Sequence, residues 1–124
     1  MLKIALVLFS VLLSATTFAD SIGAHEKLVQ RCRFLAEELI KLEHPQHKMI
    51  CKSKLTSAAF KIDLSADKLH YKRYKDSVHH LSFAMEDLSF AINIDCNLKQ
   101  DLRKLKAEAD ILKQEIEWLH KRDK

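Results

Sequence analysis

Residues 98–119 read LKQDLRKLKAEADILKQEIEWL, and this stretch decides the fold. Its apolar side chains alternate four and three residues apart, at Leu98, Leu102, Leu105, Ala109, Leu112, Ile116 and Leu119. Because an α-helix turns once every 3.6 residues, this spacing places the side chains on one stripe. The pattern is that of the a and d positions of a coiled coil. The stretch therefore predicts a long helix, helix four, whose apolar face packs against another helix.

A similar stripe precedes it and predicts helix three, with apolar side chains at Tyr71, Tyr74, Val78, Leu81, Met85, Leu88 and Ile92. Ser65 is a good N-cap for helix three, and Asp67 would lie in its first turn, where the helix dipole favours an acid. Residues 93–97 interrupt the pattern, and Asp95 can cap helix four. Two adjacent heptad stripes joined by a short turn predict an antiparallel coiled-coil hairpin.

Two shorter helices are predicted before the hairpin, over residues 22–43 and 46–62, with a break at Pro45, which cannot continue a helix. The chain contains one Gly and one Pro, too few turn residues for a strand-rich domain. The predicted fold class is therefore all-α: a four-helix up-and-down bundle in which helices one and two cover the apolar side of the hairpin of helices three and four.

The N-terminus has the pattern of a signal peptide. Lys3 supplies a positive start, residues 4–13 are apolar except for one serine, and Thr17 and Ala19 are small residues at the cleavage site. This apolar run is too short for a membrane span, which needs about 20 residues. We therefore expect a signal peptide over residues 1–19, a single helical domain over residues 20–124, and a periplasmic or secreted protein.

The positive charge of the chain is concentrated in residues 46–80, which carry eight cations against three acids. The cations are Lys48, Lys52, Lys54, Lys61, Lys68, Lys72, Arg73 and Lys75. One interpretation is the solvated face of ordinary helices; the other is a surface for an anionic partner, such as lipid headgroups or an acidic protein. A nucleic-acid partner is not expected, because the protein leaves the cytoplasm.

Three cysteines, Cys32, Cys51 and Cys96, indicate one disulfide in an exported protein and one remaining thiol. If helices one and two turn near residues 43–45, Cys32 lies about one helical turn from the level of Cys51. We therefore predict a Cys32–Cys51 bond, with Cys51–Cys96 as the alternative. Cys96 would then be free or would join two chains.

Two histidines leave a cofactor alternative open. In an up-and-down bundle, His25 and His120 lie at the same end, where two imidazoles can ligate a haem iron. The arrangement is similar to that of the small periplasmic b-type cytochromes, which have a His near the C-terminus. Their other ligand is a Met near the start of the first helix, whereas the first Met after the signal peptide here is Met49. Haem or metal binding is therefore kept as an alternative to a protein without a cofactor.

No motif predicts catalysis. Asp76, Ser77 and His80 have the residue types of a hydrolase triad, but one helix cannot usually aim all three at a substrate and also form an oxyanion hole. The sequence therefore predicts a non-enzymatic protein that acts through protein–protein contacts or self-association, as an adaptor, a small chaperone or an oligomerisation module. Binding to an anionic membrane surface is the other alternative.

Overall fold

The computed structural model describes residues 23–123, which fold into four α-helices. Helix α1 spans Ala24–Glu43, α2 spans Met49–His70, α3 spans Tyr74–Asn93 and α4 spans Lys99–Arg122. Helices adjacent in the chain pack against each other, and α1 also packs against α4. The helices therefore close into a four-helix up-and-down bundle, which confirms the predicted fold class. The predicted signal peptide, residues 1–19, lies outside the described residues. Within those residues, no helix has the length and apolar character needed to cross a membrane.

The helix-four stripe supplies much of the core. Leu102, Ala109, Leu112, Ile116 and Leu119 are all buried, as the heptad pattern predicts. Two members of the stripe differ: Leu98 is exposed and Leu105 is half-buried. The middle of α4 is therefore less completely covered than the periodicity alone predicts.

The predicted boundary between helices two and three is wrong. Helix α2 runs through Ser65 to His70, and Ser65 is a fully buried residue in the middle of the core rather than an N-cap. The chain turns at residues 71–73, where Lys72 has a positive φ of 59° and the backbone N–H of Arg73 donates to the carbonyl of Lys68 at 2.8 Å. This is the Schellman arrangement that ends many helices, here with Lys in the place of the usual Gly. The four helices consequently have similar lengths.

The contact between α2 and α3 is built on small side chains. Cys51, Ala58 and Ser65 recur every seven residues on α2, and Ser77, Ala84 and Ala91 do the same on α3. All six are buried, and the hydroxyls of Ser65 and Ser77 lie 2.7 Å apart, each also donating to the backbone carbonyl of the other residue. Small residues let two backbones approach closely. Helices α3 and α4 pack antiparallel as predicted, but the contact of α2 with α3 is more extensive.

The predicted Cys32–Cys51 disulfide is wrong, and Cys96 is not the free thiol. The bond joins Cys51 to Cys96, with 5.7 Å between their Cα atoms, and Cys32 is a buried free cysteine. The register of α1 explains the error: Arg33 binds Asp63 and Asp67 on α2. Its neighbour Cys32 therefore lies level with the C-terminal half of α2, about 20 Å along the helix from Cys51.

The α3–α4 loop instead brings Cys96 back over the start of α2. Asp95 has a positive φ of 59°, and the backbone N–H of Cys96 donates to the carbonyl of Ala91, which reverses the chain. Asp95 does not cap α4; the N-cap residue is Leu98, and the Asp95 carboxylate binds Lys99 at 2.6 Å. The resulting disulfide ties this loop to α2, and such bonds are typical of proteins in oxidising environments.

Candidate functional site: a groove between the first and last helices

A groove of about 740 Å³ runs between α1 and α4. Four leucines form its floor, Leu35 and Leu42 from α1 and Leu105 and Leu112 from α4. Leu35 and Leu112 are buried, whereas Leu42 and Leu105 are half-buried and face the opening. The aromatic ring of Phe34 lies on the rim and is 62 % exposed. We call this site the α1–α4 groove. Its floor is apolar, and no other part of residues 23–123 covers it.

The groove exists because α1 and α4 meet less closely than any other adjacent helix pair in residues 23–123. The positions that face each other across it carry long charged side chains, among them Arg31 and Glu38 on α1 and Lys104 and Glu108 on α4. The equivalent contact between α2 and α3 carries serine, alanine and cysteine. Of the four leucines between the two rims, Leu42 and Leu105 remain partly accessible from one side.

One ion pair between α1 and α4 determines which charged residues lie at the same level on the two rims of the groove. Arg31 of α1 binds Glu115 of α4, which fixes the antiparallel register. Two turns further along each helix, in opposite directions, that register brings Glu38 level with Glu108. Lys41 binds Glu38 at 3.1 Å from its own helix, three residues away. Glu38 and Glu108 therefore lie at the same level on opposite rims of the groove, which also carry the cations Arg31 and Lys104.

The eight cations of the predicted anionic-partner surface do not lie on one face of the bundle. Lys54 and Lys61 lie beside Asp87 of α3, at 3.8 Å and 2.8 Å. Lys48, before α2, donates to the carbonyl of Ile94 at 3.2 Å, and Arg73 binds Asp76 at 2.5 Å.

The remaining cations are spread over three parts of the bundle. Lys68 continues the line of Lys54 and Lys61 along α2, because the three residues are spaced by sevens. Lys52 lies on the other flank of α2, Lys72 lies in the turn and Lys75 in the first turn of α3. The structure therefore brings together part of the predicted anionic-partner surface, along one side of α2.

His25 and His120 lie at the same end of the bundle, and each has a neighbour there. The Nε2 atom of His25 is 3.2 Å from the Glu26 carboxylate, which also contacts Nδ1 of His70 at 2.9 Å. The ring of His120 packs against that of Tyr74, with 5.9 Å between the centroids. Across residues 23–123, no group of three or more His, Cys, Asp and Glu side chains is arranged to hold a metal ion. The haem or metal alternative gains no support from this geometry.

Ser77 of the candidate triad is fully buried and bonded to Ser65, so its hydroxyl cannot meet a substrate in this arrangement.

Sequence reasoning also missed a polar cluster between α2 and α3. The carboxylate of Asp87 is only 7 % exposed and accepts hydrogen bonds from Ser57 and Lys61, each at 2.8 Å. A serine and a lysine one turn apart on α2 were a weak signal for it, because surface helices commonly carry such pairs.

No family model matches this sequence, and neither a curated protein nor a solved structure matches it. The α1–α4 groove, with its leucine floor and its charged rims, is the feature of the described residues that most resembles a binding site for another molecule.

Proposed function

We propose that this protein is an exported, non-enzymatic adaptor that binds a partner protein by receiving an amphipathic helix of the partner in the α1–α4 groove. The observation that carries the proposal is the groove between the antiparallel helices α1 and α4, whose floor consists of four leucines, of which Leu42 and Leu105 are only half-buried. Helix-in-groove recognition places apolar side chains of the incoming helix, spaced three, four or seven residues apart, into such a surface. Leu35 and Leu42 are themselves two turns apart, which matches that spacing.

The charges define the chemistry of the partner further. Glu108 lines the groove without an ion pair to another described residue, whereas Glu38 already binds Lys41. A Lys or Arg of the incoming helix, flanked by leucine-like anchors, would pair with the Glu108 carboxylate. The partner helix is therefore apolar on one face and carries at least one cation at the edge of that face.

Export is part of the same proposal. The N-terminal sequence predicts a signal peptide, and the Cys51–Cys96 disulfide is a bond that persists outside a reducing cytosol. The partner would accordingly be met in the periplasm or in the medium.

Site-specific photo-crosslinking in the native compartment tests the proposal. A photoreactive amino acid at position 105 should capture the partner, and the crosslinked peptide should be an amphipathic, basic helix. The matched control places the same group at Thr56, an exposed position of α2 away from the groove. Equal crosslinking from both positions would contradict the groove as the docking site. Crosslinks from position 105 to a second copy of this chain would replace the partner protein with self-association.

A further inference from the structure

The surface opposite the α1–α4 groove combines lysines with exposed apolar side chains. It lies along the contact of α2 with α3, and its residues are Lys54, Lys61 and Lys68 with Ile50 on α2, and Phe83 and Phe90 on α3. Ile50, Phe83 and Phe90 are 45 %, 47 % and 42 % exposed. We call this set the α2–α3 face.

Direct contacts place the two helices of this face side by side. The Nζ atom of Lys54 lies 4.6 Å from the centroid of the Phe90 ring, and Lys61 reaches across to Asp87 on α3. Lys68 follows Lys61 by seven residues, and Phe83 precedes Phe90 by seven, so both continue the same flanks. The lysines therefore form a line next to the two phenylalanines.

The acids near this face do not cancel its positive charge. Asp87 lies beneath it, buried and bonded to Ser57 and Lys61. Asp76 is paired with Arg73 at the end of the face. The other carboxylates of α2, Asp63 and Asp67, lie on the opposite flank against Arg33 of α1. Glu86 of α3 is exposed and lies one turn from both Phe83 and Phe90. Four cations, the three lysines and Arg73, thus stand against three carboxylates, Asp87, Asp76 and Glu86, which leaves a net charge of +1.

We propose that the α2–α3 face adsorbs to anionic lipid bilayers. Lys54 and Lys61 share the single carboxylate of Asp87, and Lys68 has no ion pair with another described residue, so the three lysines keep positive charge for a headgroup layer, while phenylalanine and isoleucine enter the acyl boundary beneath it. The charge of the face complements an anionic leaflet. This goes beyond the proposed partner-binding function, because it assigns a different surface and a lipid ligand. Since the α1–α4 groove lies on the other side of the bundle, it stays accessible to a partner while the protein is on a membrane.

Vesicle sedimentation with the purified protein tests this inference. Vesicles of phosphatidylglycerol and phosphatidylcholine should bind the protein, vesicles of phosphatidylcholine alone should bind it much more weakly, and added salt should release it. Lys68→Gln should lower the partition coefficient about fivefold, since a cation near an anionic surface contributes about 1 kcal/mol. The double variant Phe83→Ser/Phe90→Ser should lower it further.

Matched controls come from other faces of the bundle. Lys52→Gln removes a cation on the opposite flank of α2, and Phe60→Ser removes a phenylalanine that is 63 % exposed elsewhere on that helix. Both should bind like the unchanged protein, and Leu105→Asp, which alters the groove, should do so too. Circular dichroism of each variant confirms that it is folded.

Three results would overturn the inference: binding to neither vesicle type, equal binding to both, or equal losses in the control variants. Binding to soluble polyglutamate as tight as to vesicles, with no effect of the phenylalanine changes, would assign the face to an acidic protein instead. If Leu105→Asp binds vesicles like the unchanged protein and crosslinking at position 105 captures no partner, the proposed partner site in the groove is rejected, and the lipid-binding inference stands.

Discussion

The side chain of Gln46 and the backbone of Asn97 bind each other through two reciprocal hydrogen bonds. The Gln46 amide donates to the Asn97 carbonyl at 2.7 Å, and its oxygen accepts from the Asn97 N–H at 2.8 Å. The same amide also donates to the carbonyl of Leu42 at 3.0 Å, so a polar side chain that is only 3 % exposed is satisfied. These bonds join the α1–α2 loop to the α3–α4 loop, beside the disulfide. One end of the bundle is therefore held by covalent and polar links together.

Removal of the disulfide should lower stability substantially. The bond joins residues 45 positions apart, and closing a loop of that size contributes about 4 kcal/mol in the chain-entropy model. The variant Cys51→Ser/Cys96→Ser should therefore unfold at a much lower denaturant concentration than the oxidised protein, and reduction should have a similar effect. The free energies of unfolding by guanidinium titration measure this.

The accompanying control is alkylation of the remaining thiol. Cys32 is fully buried, and burial raises the pKa of its thiol to about 12, so it stays neutral and unreactive in the folded protein. We expect alkylation of Cys32 only after unfolding. Rapid alkylation of Cys32 under native conditions would contradict the described packing.

Enlarging a small residue between α2 and α3 should be strongly unfavourable. Ala84 is fully buried on the small-residue line of α3, so Ala84→Leu forces the two helices apart and should cost about 1–3 kcal/mol or more. Ala107→Leu, at an exposed position of α4, is the matched control and should change stability by less than about 0.5 kcal/mol. Equal effects of the two changes in thermal unfolding would show that α2 and α3 are not closely packed.

Two leucines of the α4 stripe should respond very differently to a charge. Leu102 is fully buried, and Leu102→Asp places an unpaired carboxylate in the core, which should unfold the protein or cost about 4 kcal/mol or more. Leu105 is half-buried in the groove, where an added carboxylate can stay hydrated, so Leu105→Asp should leave the protein folded. Far-ultraviolet circular dichroism and melting temperature distinguish the two. A Leu105→Asp variant as unstable as Leu102→Asp would mean that the groove is closed.

The turn between α2 and α3 can be stabilised by a single substitution. Lys72 adopts the left-handed backbone conformation, which costs a non-glycine residue about 1 kcal/mol, so Lys72→Gly should raise the free energy of unfolding by up to that amount. Ala107→Gly, in the exposed middle of α4, should instead lower it by about 1 kcal/mol. Loss of stability in Lys72→Gly would contradict the positive φ at this residue.

Stability should fall at alkaline pH in a way that depends on Tyr74. Burial raises the pKa of Tyr74 to about 12, and its hydroxyl donates to the Asp123 carboxylate at 2.7 Å. Because tyrosine in an unfolded chain ionises at about pH 10, this contribution is complete below that pH and is lost as the pH rises toward 12. Tyr74→Phe should therefore show a smaller decline over that range. The difference in ultraviolet absorbance between wild type and variant, followed against pH, measures the midpoint of Tyr74 ionisation. A midpoint near pH 10 would refute the raised pKa of Tyr74.

The sequence predicted the fold class because the apolar heptad stripes of α3 and α4 indicate two long helices that pack against each other, and a chain with so few turn residues has few alternatives to a helical bundle. It misplaced the boundary between α2 and α3 because Ser65 has the chemistry of a helix cap. In the folded chain its hydroxyl is satisfied by Ser77, which only a partner helix could reveal. The true turn contains Lys72 in a conformation that sequence reasoning assigns to glycine.

The disulfide and the groove depend on register, which periodicity does not determine. Cys32 and Cys51 lie on neighbouring helices, but the pairing of Arg33 with Asp67 sets their heights far apart. Leu105 belongs to the apolar stripe by spacing, and its exposure depends on which residues of α1 come opposite it. The common level of Glu38 and Glu108 likewise follows from the Arg31–Glu115 pair and cannot be read from either helix alone.

The disulfide also shortens the covalent path between the first and last helices. Cys51 and Cys96 close α2 and α3 into a covalent ring, and α1 and α4 extend from the junction of that ring as two arms. In the reduced protein, the bonded path from the first helix to the last runs through two complete helices. In the oxidised protein, the shortest bonded path between them runs through the sulfur atoms and a few loop residues. The contact that forms the groove is then local in topology, so its closure costs less chain entropy and can precede the completion of the other contacts.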